Sequence, residues 1–202
     1  VRLANLQSGD LDMIERLAPT DAPAAKSNPG LTYADVVNLG YMSMYVNVGN
    51  GPRADNPLGK DKRLRQAFSL AVDREAIAQV AFEGTAVPGN QPFPPSSPWF
   101  NKSIPVPARD LEKAKALMKE AGVDRLPVEL GASNSPIVMQ VMQMVQAMVA
   151  EAGFDVSLKT TEFATLLDEQ TAGNYQIART DWSGRVDPDG NIHQFVTCKG
   201  GI

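Results

Sequence analysis

Between Val128 and Arg179 the apolar period switches back and forth between strand and helix, and this alternation constrains the fold more than any other feature of the chain. Val128 to Leu130, Phe154 to Leu158 and Tyr175 to Arg179 read as strands. Ser135-Pro136 supplies an N-cap followed by proline at the first helical position, and opens a helix over 136–152. Its inward stripe is Ile137, Val141, Val145, Met148 and Ala152, a spacing close to the helical period, and Gly153 stops it. Phe163, Leu166 and Leu167 mark another helix over 162–172. A β-α-β-α-β order closes most simply as adjacent parallel strands with right-handed crossovers. The expected fold class is α/β, a mostly parallel sheet flanked by helices.

The remaining segments attach to that unit. In 1–30, Leu11 and Met13 alternate with Asp10 and Asp12, and Pro19, Pro23 and Pro29 forbid a long helix, so a short strand, a turn or two of helix and a connection are expected. Val36 to Val48 is apolar and aromatic and reads as a strand or strand pair. From Lys62, the residues Leu64, Ala67, Phe68 and Ala71 share one helical face; Asp73 then caps a second helix that Gly84 ends. Asp110 caps a third, with Leu111, Ala114, Leu117, Met118 and Ala121 inward. Between them, 85–109 holds seven prolines and no period, and is expected to be a long surface loop.

Apolar residues make up 43% and charged residues 21%, ordinary for a folded chain, and the net charge of −4 leaves no broad basic surface, which argues against nucleic acid as the partner. No window approaches the run of roughly 18 apolar residues that a spanning helix needs. The start at Val1 and the end in "KGGI" look cut from a longer protein.

Most catalytic and cofactor signatures fail residue by residue. "ADNPLGKD" has Ala54 where a phosphate loop needs glycine and Asp61 where it needs Ser or Thr, and Gly49 and Gly51 are not followed by a third glycine and a helix. A lone histidine, His193, excludes multi-histidine metal sites. A calcium loop over 185–196 would begin on Arg185 and end on Val196, losing both end ligands. No cofactor and no metal are expected. A Cys198–His193 dyad lacks an orienting third group, and Met139, Met142, Met144 and Met148 read as core filler. That leaves "DWSGRVDPDGN", residues 181–191: Asp187 to Gly190 is turn chemistry, but Trp182 beside Arg185 at a strand's exit has the parts of a ligand platform. Two other classes stay open, a small hydrolase using Asp181, Asp187 or Asp189 and a protein-interaction module using the 85–109 loop.

The segments "LQSGDLDMI", "YVNVGNGPRADNPLGKDKRLRQAFSLAVDREAI", "PGNQPFPPSSPWF", "DLEKAKALMKEAG" and "WSGRVDPDGNIHQF", in that order, resemble the dipeptide/oligopeptide-type periplasmic solute-binding proteins of ABC importers. The resemblance implies a two-lobed clamp that binds a solute without breaking a bond and delivers it to a membrane permease. It implies that residues 1–30 are a crossover from a missing first lobe, and that 31–202 are a second ligand-binding lobe truncated at its C-terminal end. Carried over residue by residue, it makes Arg179 a partner for a peptide carboxylate, sets Asp181, Trp182 and Ser183 beside the ligand, and makes Phe163 a ligand-facing aromatic. Where peptide binders place the Asp that pairs with a ligand's α-ammonium, this sequence has Arg185, with Asp187 the nearby acid able to substitute. Arg179 and Arg185 facing one cleft would suit a carboxylate or phosphate; the competing role for Arg185 is a pair with Asp187 or Asp189 inside its own loop.

Overall fold

The computed structural model describes residues 1–197 and 200. In chain order its elements are α1 (Arg2–Ser8), α2 (Ala22–Ser27), β1 (Tyr41–Val46), α3 (Pro57–Lys60), α4 (Lys62–Ala71), α5 (Arg74–Phe82), α6 (Leu111–Glu120), β2 (Leu126–Ser133), α7 (Pro136–Ala150), β3 (Phe154–Thr161), α8 (Phe163–Thr171), β4 (Ile177–Trp182) and α9 (Asp189–Val196). Cys198 lies outside the described residues, so the Cys198–His193 pairing has no structural counterpart to weigh.

The sheet order is β1-β4-β2-β3. β2 pairs in parallel with β3 on one side and β4 on the other, so the expected parallel unit forms around a central β2, though β3 and β4 are not neighbours. β1 runs antiparallel to β4, with Tyr41 opposite Trp182 and Val46 opposite Ile177. It needs no crossover helix to do so, and an antiparallel edge on an otherwise parallel sheet is a common arrangement.

The two faces of β2 carry different layers. Leu126, Val128, Leu130 and Ala132 meet Val138, Val141, Met142, Val145 and Val149 of α7, together with Phe68, Met118, Phe154 and Ile177, in the main core. Gly131 faces the other way, where a Cβ would lie 3.3 Å from Leu166 Cδ1 of α8, and Leu166, Tyr175 and Ala178 form a second, smaller cluster. The chain steps from β2 to β3 in one direction and back past β2 to β4 in the other. Right-handed crossovers therefore put α7 and α8 on opposite faces.

Local chemistry explains most of the elements. Asp61, Asp73 and Asp110 cap α4, α5 and α6 through their carboxylates, and Leu64, Ala67, Phe68 and Ala71 are buried as their spacing requires. In α7 the buried stripe includes Val141 and Val145 as expected, but Val138, Met142 and Val149 fill the places expected of Ile137 and Met148. Nearly every position of that helix is apolar, so its pattern leaves the rotation of the helix loosely specified. Met148 instead accepts the Asp73 amide on its sulfur at 3.4 Å. At the N-terminus the expected strand near Leu11 is absent: helix-forming residues make α1, and 10–13 pair with no strand. The 85–109 segment has no helix or strand, and is held by Gln91, whose amide donates to Asn101 and Ile104 carbonyls at 2.9 and 3.1 Å.

Candidate functional site

The three parallel strands end on one edge of the sheet, at Ser133, Thr161 and Trp182. From that edge the chain leaves β2 toward one face and β3 toward the other, which opens crevices beside β2. In open α/β sheets ligands sit in such crevices outside the carboxyl ends of the strands. All seven residues singled out by sequence lie on or just past this edge, but they do not converge on one point.

Arg179 and Asp181 form one group, on the face shared with Ile177. Arg179 is 4% exposed, and its guanidinium pairs with Asp181 at 2.9 Å. Burial lowers the pKa of Arg179, with Asp181 offsetting part of that effect. Loss of hydration likewise raises the pKa of the Asp181 carboxyl, and Arg179 draws it partly back. Met44 and Met42 of β1 stand opposite these two residues, and the outer pair, Met42 and Asp181, is about half-exposed.

Trp182 points to the other face and belongs to an aromatic group. Its ring meets Phe195 of α9 edge-on at 5.1 Å, and Phe195 stacks on Tyr45 at 4.5 Å. The Tyr45 hydroxyl donates to that of Tyr41 at 3.2 Å, and the Tyr41 hydroxyl donates to the Asn191 carbonyl at 2.7 Å. Burial, then the contact with Tyr45, pushes the Tyr41 phenol well above its ordinary range. Asn191, 2% exposed, is the hub of this group. Its side-chain oxygen accepts from the Trp182 indole at 3.1 Å and from the Arg185 amide at 2.6 Å, while its amide donates to the Arg185 carbonyl at 2.7 Å.

Arg185 is thereby fixed at its backbone and laid over Trp182, with its guanidinium carbon 5.1 Å from the ring centroid. Nη1 donates to the Ser183 hydroxyl at 2.8 Å and to the Gly184 carbonyl at 2.7 Å. Gly184 adopts φ +76°, and a side chain there would run into the Leu39 carbonyl, so this close approach of the loop to the segment before β1 requires glycine. The acids of the loop are engaged elsewhere. Asp187 accepts the Asp189 amide at 2.9 Å, and Asp189 lies 3.5 Å from the His193 ring. Among the described residues Arg185 has no ion pair, so the pairing with Asp187 or Asp189 does not form. Arg179 and Arg185, which flank Trp182 in sequence, stand on opposite faces of the sheet edge rather than side by side. Phe163, the first residue of α8, is 50% exposed beyond the end of β3.

Asp181, Asp187 and Asp189 each have a different structural partner and share no cleft as an acid pair, and no group of three or more metal-ligating side chains occurs among the described residues. Sequence reasoning missed Asn191, Tyr41, Tyr45 and Phe195. The aromatic run at 41–45 was a visible signal, whereas a buried asparagine six residues after Arg185 carries none.

The sequence profile described as bacterial extracellular solute-binding proteins, family 5, middle region, matches residues 1–201. The chain belongs to this family. The dipeptide-binding protein of Escherichia coli is 28% identical over 207 residues, covering 98% of this chain and 37% of that protein. Di/tripeptide-binding protein 4 of Pseudomonas aeruginosa is 31% identical over 205 residues with the same coverage. This family 5 chain therefore spans a little over a third of the length of those relatives. Its fold matches that of a periplasmic binding protein from Helicobacter pylori in complex with a peptide, with TM-score 0.81 and 23% identity over 95% of this chain and 36% of that one. NikA from Staphylococcus aureus, in complex with Ni(L-His)2, has TM-score 0.79 and 18% identity over 98% of this chain and 42% of that one. No helix among the described residues is long and apolar enough to cross a membrane.

Proposed function

We propose that this chain is one lobe of a non-catalytic, periplasmic solute-binding protein that closes with a second lobe over a peptide-like, anionic solute and hands it to the permease of an ABC importer. Residues 1–30 act as the crossover and 31–202 as the ligand-binding lobe. Family membership supports the binding role, and peptide binding is what the curated relatives are named for. No residue before Ala22 is fully buried, as suits a leading segment that belongs partly to another lobe. Met42, Phe163 and Val186 stand 49%, 50% and 82% exposed in the segments bordering the carboxyl edge, as suits a surface that a closing lobe covers.

The observation that carries the ligand assignment is Arg185, held over Trp182 by Asn191 and paired with no acid among the described residues. A fixed guanidinium on an aromatic face offers forked donors to a carboxylate or phosphate. In the proposed site Arg185, Trp182 and Ser183 take the anionic end on one face of the sheet edge, Asp187 offers an acceptor in the same loop, and Asp181, backed by Arg179 on the other face, and Phe163 meet parts of an extended solute that reach across the edge.

The test is calorimetry on the intact binding protein, with mass spectrometry of the solute before and after. A binder saturates and releases its solute unchanged. Losing a charge-assisted contact costs roughly 1.5–3 kcal/mol, so Arg185→Ala should weaken an anionic ligand about ten- to a hundredfold and leave a neutral analogue unaffected. Chemical conversion of the solute would refute the binding role, and equal weakening of both ligands would refute the anionic assignment.

A further inference from the structure

Beside Arg185 lies a groove of about 150 Å³, walled mainly by Leu39, Phe93, Pro94, Pro98 and Val186, with Arg185, two serines and Asn191 completing it. Three separate segments build it: the stretch before β1, the proline-rich 85–109 loop and the loop after β4. Prolines on one wall give it a stiff shape, since their φ angles are fixed and their rings lose little freedom on binding. A space of roughly this size is large enough for a benzene-sized group. No Asp or Glu lines it, so its charge is that of Arg185 alone. Only Nη1 of Arg185 has hydrogen-bond partners among the described residues, which leaves Nε and Nη2 to meet an anion at the groove's wall. The Arg185 stem is seated against Gly190, where an added Cβ would lie 3.1 Å from both Cβ and Cγ of the arginine.

We infer that this groove is a side-chain pocket, and that the preferred solute carries a phenyl or branched aliphatic group on the same carbon as its carboxylate, as the C-terminal residue of a peptide does. This rests on the solute-binding reading above and narrows its ligand class. The carboxylate meets the guanidinium and the adjoining side chain enters the groove, so both contacts form only when the two groups are neighbours. An α-ammonium group is disfavoured, because the same wall would set two cations together.

The experiment compares three probes on the intact binding protein by calorimetry: N-acetyl-alanyl-phenylalanine, N-acetyl-alanyl-alanine, and the C-terminal amide of the first. Burying most of a phenyl group in an open groove corresponds to a preference of about tenfold for the first over the second. The amide should bind at least about tenfold more weakly than the acid. Val186→Trp, at a position 82% exposed and therefore tolerant of substitution, fills the groove and should bring the phenyl preference close to unity. Phe93→Ala, which removes a wall, should lower it in a second, independent way. A phenyl preference that survives both substitutions overturns the pocket, as does equal affinity for the two acids in the unaltered protein, and in either case the solute-binding reading stands. Failure of all three probes to bind overturns the peptide-like reading together with the pocket.

Discussion

Asn191→Leu isolates the contribution of the rim's hub. Leucine keeps the branched skeleton of asparagine but ends in two larger methyl groups, and three hydrogen bonds vanish: those from the Trp182 indole and the Arg185 amide, and that to the Arg185 carbonyl. Trp182 is partly buried and Arg185 is exposed, so the released groups can regain water once the loop lifts. The cost should therefore appear as local opening, and not as a loss of global stability. Each bond contributes about 0.5–1.5 kcal/mol net, and allowing for recovered water the opening free energy of this loop should fall by about 2 kcal/mol. Exchange of the Arg185 amide with deuterated solvent then accelerates about thirtyfold, while amides of β2 keep their rates. Native-state hydrogen exchange measures this directly, and indole emission gives a second reading. Trp99 is the other tryptophan and is 55% exposed, so the optical experiment belongs in a Trp99→Phe background. Asn191→Asp should fall between, since it keeps the acceptor for both N–H groups and loses only the donor to Arg185. Unchanged exchange at Arg185 in Asn191→Leu would refute the idea that Asn191 positions the guanidinium.

Three further outcomes follow from the same reasoning. Asn47, 1% exposed, donates to the Asn50, Gly173 and Tyr175 carbonyls and accepts from the Gly49 and Asn50 amides; Asn47→Ala should cost about 3 kcal/mol in urea unfolding, and a loss below about 1 kcal/mol would mean that water replaces these bonds. Phe154, 1% exposed and edge-on to Phe68 at 5.2 Å, should cost about 4 kcal/mol as Phe154→Ala, measured the same way; a value near 1 kcal/mol would indicate a core able to collapse into the void. The Asp61 carboxylate is held down to about 2 from 3.8, first by the Arg63 side chain and then by the Arg63 amide. Its folded value is below its unfolded one, so this contribution is present above about pH 4 and is lost as the pH falls toward 2. Carbon NMR titration should place its midpoint near 2, and a midpoint close to 3.8 would remove the ion pair from solution.

How far the sequence could be read depended on the range of the forces involved. The buried face of α4 was legible, because the Leu64, Ala67, Phe68 and Ala71 stripe is local, whereas the Asp61 cap that starts the helix was not singled out. The parallel unit was legible for a similar reason: alternating periods leave few ways to close. The rotation of α7 was not, since a helix apolar on nearly every side can bury either Ile137 and Met148 or Val138 and Met142 at little difference in transfer energy. The partner of β1 was not legible either, because strand pairing at long range leaves no trace in either segment alone. At the edge, Trp182 and Arg185 stood out by residue type, but their arrangement hangs on Asn191, whose polarity reads as exposure until its hydrogen-bond partners are known. The family resemblance implies a ligand role for Arg179, yet its side chain is almost wholly shielded, a cost of charge burial that the contact with Asp181 partly offsets.

The pairing of β1 with β4 also bears on how the chain is made. Ser43 and Thr180, bonded across that ladder, are 137 residues apart. A ribosome adding about 5–20 residues per second takes roughly 7–30 s to deliver the second strand after the first. For that interval Tyr-Met-Ser-Met-Tyr-Val is a six-residue apolar strand with both edges open, while β2, α7 and β3 can already pack on each other from a single contiguous stretch. Among the strands of the sheet β1 is therefore the one that waits longest for its partner, and substitutions that slow its docking should lower yield in cells before they lower the stability of the finished fold.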